Sequence, residues 1–140
     1  MRTDVVRAGR LAGERTGGRM QFLSSMHAAR HIADADILVD IAHVLMLDKQ
    51  KIIDRSVTRQ LLPALLSMHD EGIPEEAFDD RFEDIHAGIE SILIESAGPE
   101  IGGRLHIGRS RNDEVATCIR LLAGHDLAHR RQIDRILGTP

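Results

Sequence analysis

Gly102-Gly103-Arg104-Leu105-His106-Ile107-Gly108-Arg109-Ser110-Arg111-Asn112-Asp113 is the stretch on which the reading of this chain turns. It places three glycines, three arginines, a histidine and an Asn-Asp pair in twelve residues. It joins two segments of helical period, one stopping at Gly98-Pro99 and one running on from Glu114. Glycine allows positive φ and close approach of the backbone to a ligand. Asp113 is a good N-cap for the helix that follows. Arg109 and Arg111 flank that N-terminus, where free N–H groups, the helix dipole and guanidinium forks all favour an anion. The same residues also describe a solvated basic loop, and the pattern is neither a P-loop nor a dinucleotide fingerprint.

Working outward, the periodicity predicts helices and no strand. From about His27 to Leu47 the apolar residues fall at Ala29, Ile32, Ala33, Leu38, Ile41, Ala42, Leu45 and Met46, with Ile37, Val39 and Val44 on other faces. Such a helix is contacted from more than one side. Ser24 or Ser25 can cap it. Arg30 and Asp34 are spaced to pair. Asp36, Asp40 and His43 share a polar stripe that reads as a solvated face rather than a metal site. Ser56 can cap a second helix, Val57 to about Asp70. Pro63 should kink it or displace its start, and Gly72-Ile73-Pro74 stops it.

A third helix runs from Phe82 to about Ser96 with an apolar stripe of Phe82, Ile85, Ile89, Ile92 and Leu93. His86 borders that stripe and reads as a boundary histidine. Asp84 and His86 are two apart and face different ways, so they form no local dyad. After the glycine-arginine loop, Val115, Ile119 and Leu122 continue a fourth helix to about Ala123. Gly124 reads as its stop, with a short amphipathic helix beyond, through Leu127, Ile133, Ile136 and Leu137. Before all of this, residues 1–21 are polar and rich in Gly and Arg, an arm without period.

Composition narrows the function. The 140 residues carry 42% hydrophobic but only 2% aromatic residues, which suits an aliphatic core of helix on helix. A net charge of −4 lacks the basic face that nucleic acid needs. Cys118 is the only cysteine, so no disulfide framework exists and a reducing compartment fits. No apolar run reaches membrane-spanning length, and the start lacks the apolar core of a signal peptide. A cytoplasmic protein is the expectation.

The residues themselves then carry a resemblance. Phe82-Glu83-Asp84-Ile85-His86, Gly102-Gly103-Arg104-Leu105-His106 and Gly108-Arg109-Ser110-Arg111-Asn112-Asp113-Glu114-Val115-Ala116-Thr117 resemble the N-terminal part of argininosuccinate lyase. That family has a Glu-Asp-Ile-His helix and then a Gly-Lys-Leu-His-Thr-Gly-Arg-Ser-Arg-Asn-Asp-Gln-Val-Ala-Thr block. Ile107 stands where the family usually has Thr, and Glu114 where it usually has Gln. The family's Trp-Gly-Gly-Arg-Phe opening is absent, with Gly9-Arg10-Leu11-Ala12-Gly13-Glu14-Arg15 in its region. The likeness covers about Val6 to Leu121. Adenylosuccinate lyase and fumarase share the chemistry, but their motifs match this block poorly.

The resemblance implies an all-α chain: the N-terminal helical domain of the fumarase/aspartase-like fold with the start of its central helical bundle. The expected division is an arm over 1–21, a helical domain over 22–108, and the signature loop with the truncated start of the bundle over 109–140. The implied reaction is β-elimination of argininosuccinate to arginine and fumarate, in arginine biosynthesis and the urea cycle, by a cytoplasmic homotetramer with no cofactor and no metal. Ser25, Arg111 and Asn112 match substrate-binding positions. Asp84, His86, Arg109 and Asp113 match positions that support the site. No catalytic residue is assigned to this chain, because the family's Thr-His pair and its Gly-Ser-Ser…Met-Pro-x-Lys-x-Asn-Pro loop do not occur in it. The chain thus looks like a fragment. The alternative is a non-catalytic helical interaction module or truncated gene product that pairs with a complete lyase.

Overall fold

The computed structural model describes residues 24–137. The expected arm lies outside them. Helix α1 spans Met26–Lys49, α2 Arg55–Glu71, α3 Ile85–Ala97, α4 Pro99–Gly102 and α5 Arg111–Leu137, with a 3₁₀ turn at Glu75–Phe78 between α2 and α3. No strand occurs among the described residues. The α1 helix is the centre: α2 packs along one side of it and α5 along another, while α3 lies on the 3₁₀ turn and α4.

One core holds these elements together. Met26, Ala29, Ala33, Ile37, Val44 and Leu47 of α1 meet Val57, Leu61, Leu65 and Met68 of α2 and Ile85, Ile89 and Leu93 of α3. Each fully buried aliphatic side chain of this kind contributes roughly 1.5–3 kcal/mol. As the all-round apolar pattern implied, α1 is contacted on two sides. Ile32 and Ile41 pack partly buried against this core, whereas Leu38, Leu45 and Met46 are exposed at 42, 47 and 40%.

The helix ends differ in instructive ways. Ser25 occupies the N-cap of α1, but it is the Ser24 hydroxyl that accepts the Met26 N–H at 3.2 Å. Asp54, not Ser56, precedes α2, its carbonyl accepting from Val57 N at 2.9 Å. Pro63 neither ends α2 nor moves its start: the helix begins eight residues earlier and runs on to Glu71, with the exposed ring costing one backbone hydrogen bond. The α3 helix begins three residues later than its apolar stripe suggested, because the Asp84 carboxylate accepts the Ala87 N–H at 2.9 Å and caps it. Phe82 is buried although it lies before the helix. Gly98, at φ 83°, closes α3 and donates to the Ile94 carbonyl at 2.8 Å.

Three expectations are corrected here. Arg30 does not pair with Asp34. Its guanidinium meets Glu75 and stacks 4.4 Å over the Phe78 ring, so the 3₁₀ turn competes successfully for it. And Gly124 is no stop: α5 is one helix of 27 residues. A glycine inside a helix costs about 1 kcal/mol relative to alanine, which no proline or cap follows up here. The helix also starts at Arg111, two residues before the expected Asp113 cap. Ser110 precedes it, accepting the Asn112 N–H on its hydroxyl at 3.3 Å and the Glu114 N–H on its carbonyl at 3.2 Å.

Glycines in two helices should therefore answer alanine with opposite signs. A Cβ at Gly88 would stand 2.0 Å from the Ala77 carbonyl oxygen, whereas one at Gly124 meets nothing within 4 Å. Gly88→Ala should destabilise the fold by about 1–3 kcal/mol through overpacking of α3 on the 3₁₀ turn. Gly124→Ala should raise helicity and add roughly 0.5–1 kcal/mol. Urea midpoints and ellipticity at 222 nm check both.

Candidate functional site

The sequence stripe Asp36/Asp40 does not face solvent. Both carboxylates are fully buried, and what buries them is α3 and α5. His86 Nδ1 lies 2.8 Å from Asp36 Oδ2 and 3.5 Å from Glu114 Oε1. His86 is thus an interior residue at 1% exposure, not a boundary one. The Arg109 guanidinium hydrogen-bonds Asp40 and Glu114 and lies 2.8 Å from His106 Nδ1. Cys118 donates to Asp36 Oδ1 at 3.5 Å. His43, half-buried, donates from Nε2 to the Ile107 carbonyl at 3.0 Å and pins the loop to α1. One polar hub thereby connects α1, α3, the loop and α5.

The charges of the hub follow from its partners. Burial alone would lower the His86 pKa, but the hydrogen bonds and charges of Asp36 and Glu114 outweigh it and push it up to about 10. His106 goes the other way: burial and the neighbouring Arg109 and Arg111 bring it down to about 4, against the pull of Glu114. Burial would raise Glu114, yet His86, His106 and Arg109 hold it down to about 2. Asp40 is raised by burial and by the charge of Asp36, which Arg109 only partly offsets. Three carboxylates face two cations: burial pushes Asp36 up too, against the hydrogen bond and charge of His86, and Asp40 is displaced further toward the neutral form.

Two groups in the hub have the composition of metal ligands, Asp36/His86/Glu114 and Asp40/His106/Glu114. Each already holds a cation. The Arg109 Nη2 contacts Asp40, His106 and Glu114 together, and the His86 N–H points at Asp36. A guanidinium where the ion would sit leaves these ligands to structure.

Arg109 is therefore corrected as well. Its side chain is 7% exposed and turned inward, so it is not a free anion-binding group. Arg111 points elsewhere. It pairs with Asp84 and stands 3.9 Å from Glu90, with its side chain 29% exposed. The Ser25 N–H donates to the Glu83 carbonyl at 2.9 Å, which seats the start of α1 beside Asp84. Ser25, Asp84 and Arg111 are thus brought together from three parts of the chain. Asn112 and Asp113 are exposed in the first turn of α5, and the Asp113 carbonyl accepts the Thr117 hydroxyl at 2.7 Å. On the other side of the loop, a cavity of about 550 Å³ opens between α1 and α5, lined by Leu38, Val39, Ala42, His43, Arg109, Asp113, Glu114, Thr117 and Leu121. Asp36, Asp40 and Glu114 as hub residues were not found from the sequence; a polar stripe next to apolar neighbours was the available signal.

No family model matches the chain. Curated relatives do. An argininosuccinate lyase of Methanoculleus marisnigri is 62% identical over 121 residues, covering 86% of this chain and 25% of the relative. That of Methanosphaerula palustris is 62% identical over 118 residues, 84% of this chain and 24% of the relative. A third, from Methanococcoides burtonii, is 50% identical over 125 residues, 89% of this chain and 25% of its own length.

Over this span the chain is similar to argininosuccinate lyase.

It spans about a quarter of the length of the curated relatives it matches. The lyase signature block now has a shape: Gly108, at φ 71°, turns the chain so that Arg109 enters the hub, and the residues from Arg111 to Thr117 form the first turns of α5. Glu114, where the lyase pattern usually has Gln, matters physically. An amide would offer one acceptor and no charge, whereas the carboxylate binds Arg109 and sustains the His86 imidazolium.

Stability should record these charges. His86, raised from 6.5 to about 10, adds stability that is complete below pH 6.5 and lost as pH rises toward 10. His106, lowered from 6.5 to about 4, adds stability present above pH 6.5 and lost as pH falls toward 4. Glu114, lowered from 4.5 to about 2, extends the loss at still lower pH. Urea midpoints should fall as pH rises from 6.5 to 10. A midpoint that stays level across that range would show His86 to be neutral in the fold.

Proposed function

We propose that this chain supplies substrate-binding elements of an argininosuccinate lyase active site, in an enzyme of arginine biosynthesis that works in the cytoplasm. The observation that carries this reading is the Asp84–Arg111 pair at the start of α5, beside the Ser25–Glu83 backbone contact. Through Glu83, the neighbour of Asp84, that contact ties the Ser25 backbone to the Asp84–Arg111 pair, a cation with solvent access.

In the reaction, a base takes a proton from the succinyl carbon next to a carboxylate. The carbon–nitrogen bond then breaks, fumarate forms, and the guanidino nitrogen leaves with a proton from a general acid. Negative charge builds on the carboxylate in the transition state, where fixed cationic and N–H donors stabilise it. Arg111 supplies the charge. Asp84 holds its guanidinium in place, with Glu90 behind it. Asn112 and the N-terminus of α5 supply N–H donors, and Ser25 a hydroxyl. His86 and Arg109 serve from within, by fixing the loop to α1 and α3. Base and acid come from segments whose motifs this chain does not contain.

The subunit arrangement follows the same line. Val115 and Leu122 are half-buried, and Ile119 and Leu121 are exposed at 54 and 42% near the mouth of the α1–α5 cavity. That surface suits packing against helices of further subunits, up to the tetramer of the family.

Two experiments test the proposal. The chain alone, incubated with argininosuccinate while fumarate absorbance is followed, should show no turnover above the uncatalysed rate; activity from a preparation free of host lyase overturns the division of labour. In a complete lyase carrying this N-terminal part, Asn112→Ala should lower kcat/KM at least about tenfold, some 1.4 kcal/mol, with an unchanged melting temperature. Full activity, or early melting, would make Asn112 a structural residue.

A further inference from the structure

The second half of α5 carries a feature that the lyase reading does not absorb. From Ala123 to Ile136 every residue is exposed, so packing accounts for none of its side chains. His125 and His129 stand one turn apart there, on one face of the helix. Their Nε2 atoms are 3.1 Å apart, and the rings meet edge to face with centroids at 4.4 Å.

Two ring nitrogens at this distance cannot both present lone pairs to each other. Something positive must lie between them, either a proton on one ring or a metal ion. Nitrogens each about 2.0–2.1 Å from a tetrahedral zinc are themselves roughly 3.3 Å apart, so this pair is already close to the spacing of a bidentate ligand. The remaining nitrogen of His125 is turned to a carboxylate, with Nδ1 3.8 Å from Asp126 Oδ1. Paired histidines one turn apart on a helix are the ligand half of known helical zinc sites. Imidazole selects zinc, nickel and copper over magnesium and calcium, which require oxygen. The acidic groups in the hub offer no competition, because Arg109 and the His86 proton fill them.

We propose that His125 and His129 form a surface site on α5 for a borderline divalent transition-metal ion such as Zn²⁺, with water completing its coordination. The ion ties two successive turns of a helix that contains Gly124 and has no tertiary packing at that point, and it stabilises the helical form by mass action.

Spacing alone does not make the site, and the chain provides its own comparison: His27 and His31 are also four apart and exposed, on α1. The full chain is titrated with ZnCl₂ by calorimetry, with ellipticity at 222 nm followed in parallel. His125→Ala and His129→Ala should each weaken the tightest zinc affinity by about tenfold or more and remove the zinc-dependent gain in helicity. The double variant His27→Ala/His31→Ala should keep both within about twofold. Because His125 and His129 are exposed, the zinc-free spectra of their variants should match that of the parent. Unchanged zinc affinity in His129→Ala, or a loss that appears in the α1 variant instead, overturns the proposal.

Discussion

Buried charge must be paired, and the whole structure depends on how Glu114 meets that demand. Its carboxylate is 1% exposed and lies between the Arg109 guanidinium and the His86 ring. Through Arg109 it reaches Asp40, and through His86 it reaches Asp36. The partners come from α1, α3, the loop and α5, so the hub joins elements that the apolar core connects only in part. Removing a single member would strand the others in a low-dielectric interior, which is why such groups specify one arrangement of the helices.

The loop gains its shape from the same constraint. Arg109 is drawn inward by two carboxylates, and the His43–Ile107 contact anchors the chain two residues before it. Arg111, two residues on, is left at the surface, where Asp84 takes it. Asp84 has a double task, since it also caps α3 through Ala87. The position of Arg111 is therefore tied to the start of α3, and the start of α3 to Ser25 through Glu83. A site assembled from three motifs becomes as firm as the helix ends that carry it.

The α5 helix has two unlike halves. Its first turns bury Glu114 and Cys118 against α1, and from Ala123 on it projects with every described side chain exposed. Helical propensity alone rarely sustains so long a segment in water, so contacts with other helices or ligands are the natural complement.

Much was legible in the residues alone. Periodicity gave the helical class and placed α1 and α3 within a few residues, because a repeat of 3.6 is a local property of the chain. The run Gly108 to Thr117 carried the resemblance to argininosuccinate lyase, because its residue types sit in one unbroken block. Gly124 and Pro63 misled for a related reason: each lowers local propensity, but neither cost is enough to break a helix whose other turns are satisfied. What only the tertiary structure decided is the direction of the polar groups. Asp36, Asp40 and His43 look like a solvated stripe, and Arg109 looks like an anion receptor, until residues 50 to 82 positions away in the chain arrive opposite them. A charged side chain goes where its counter-charge is, and sequence order does not record which counter-charge that will be.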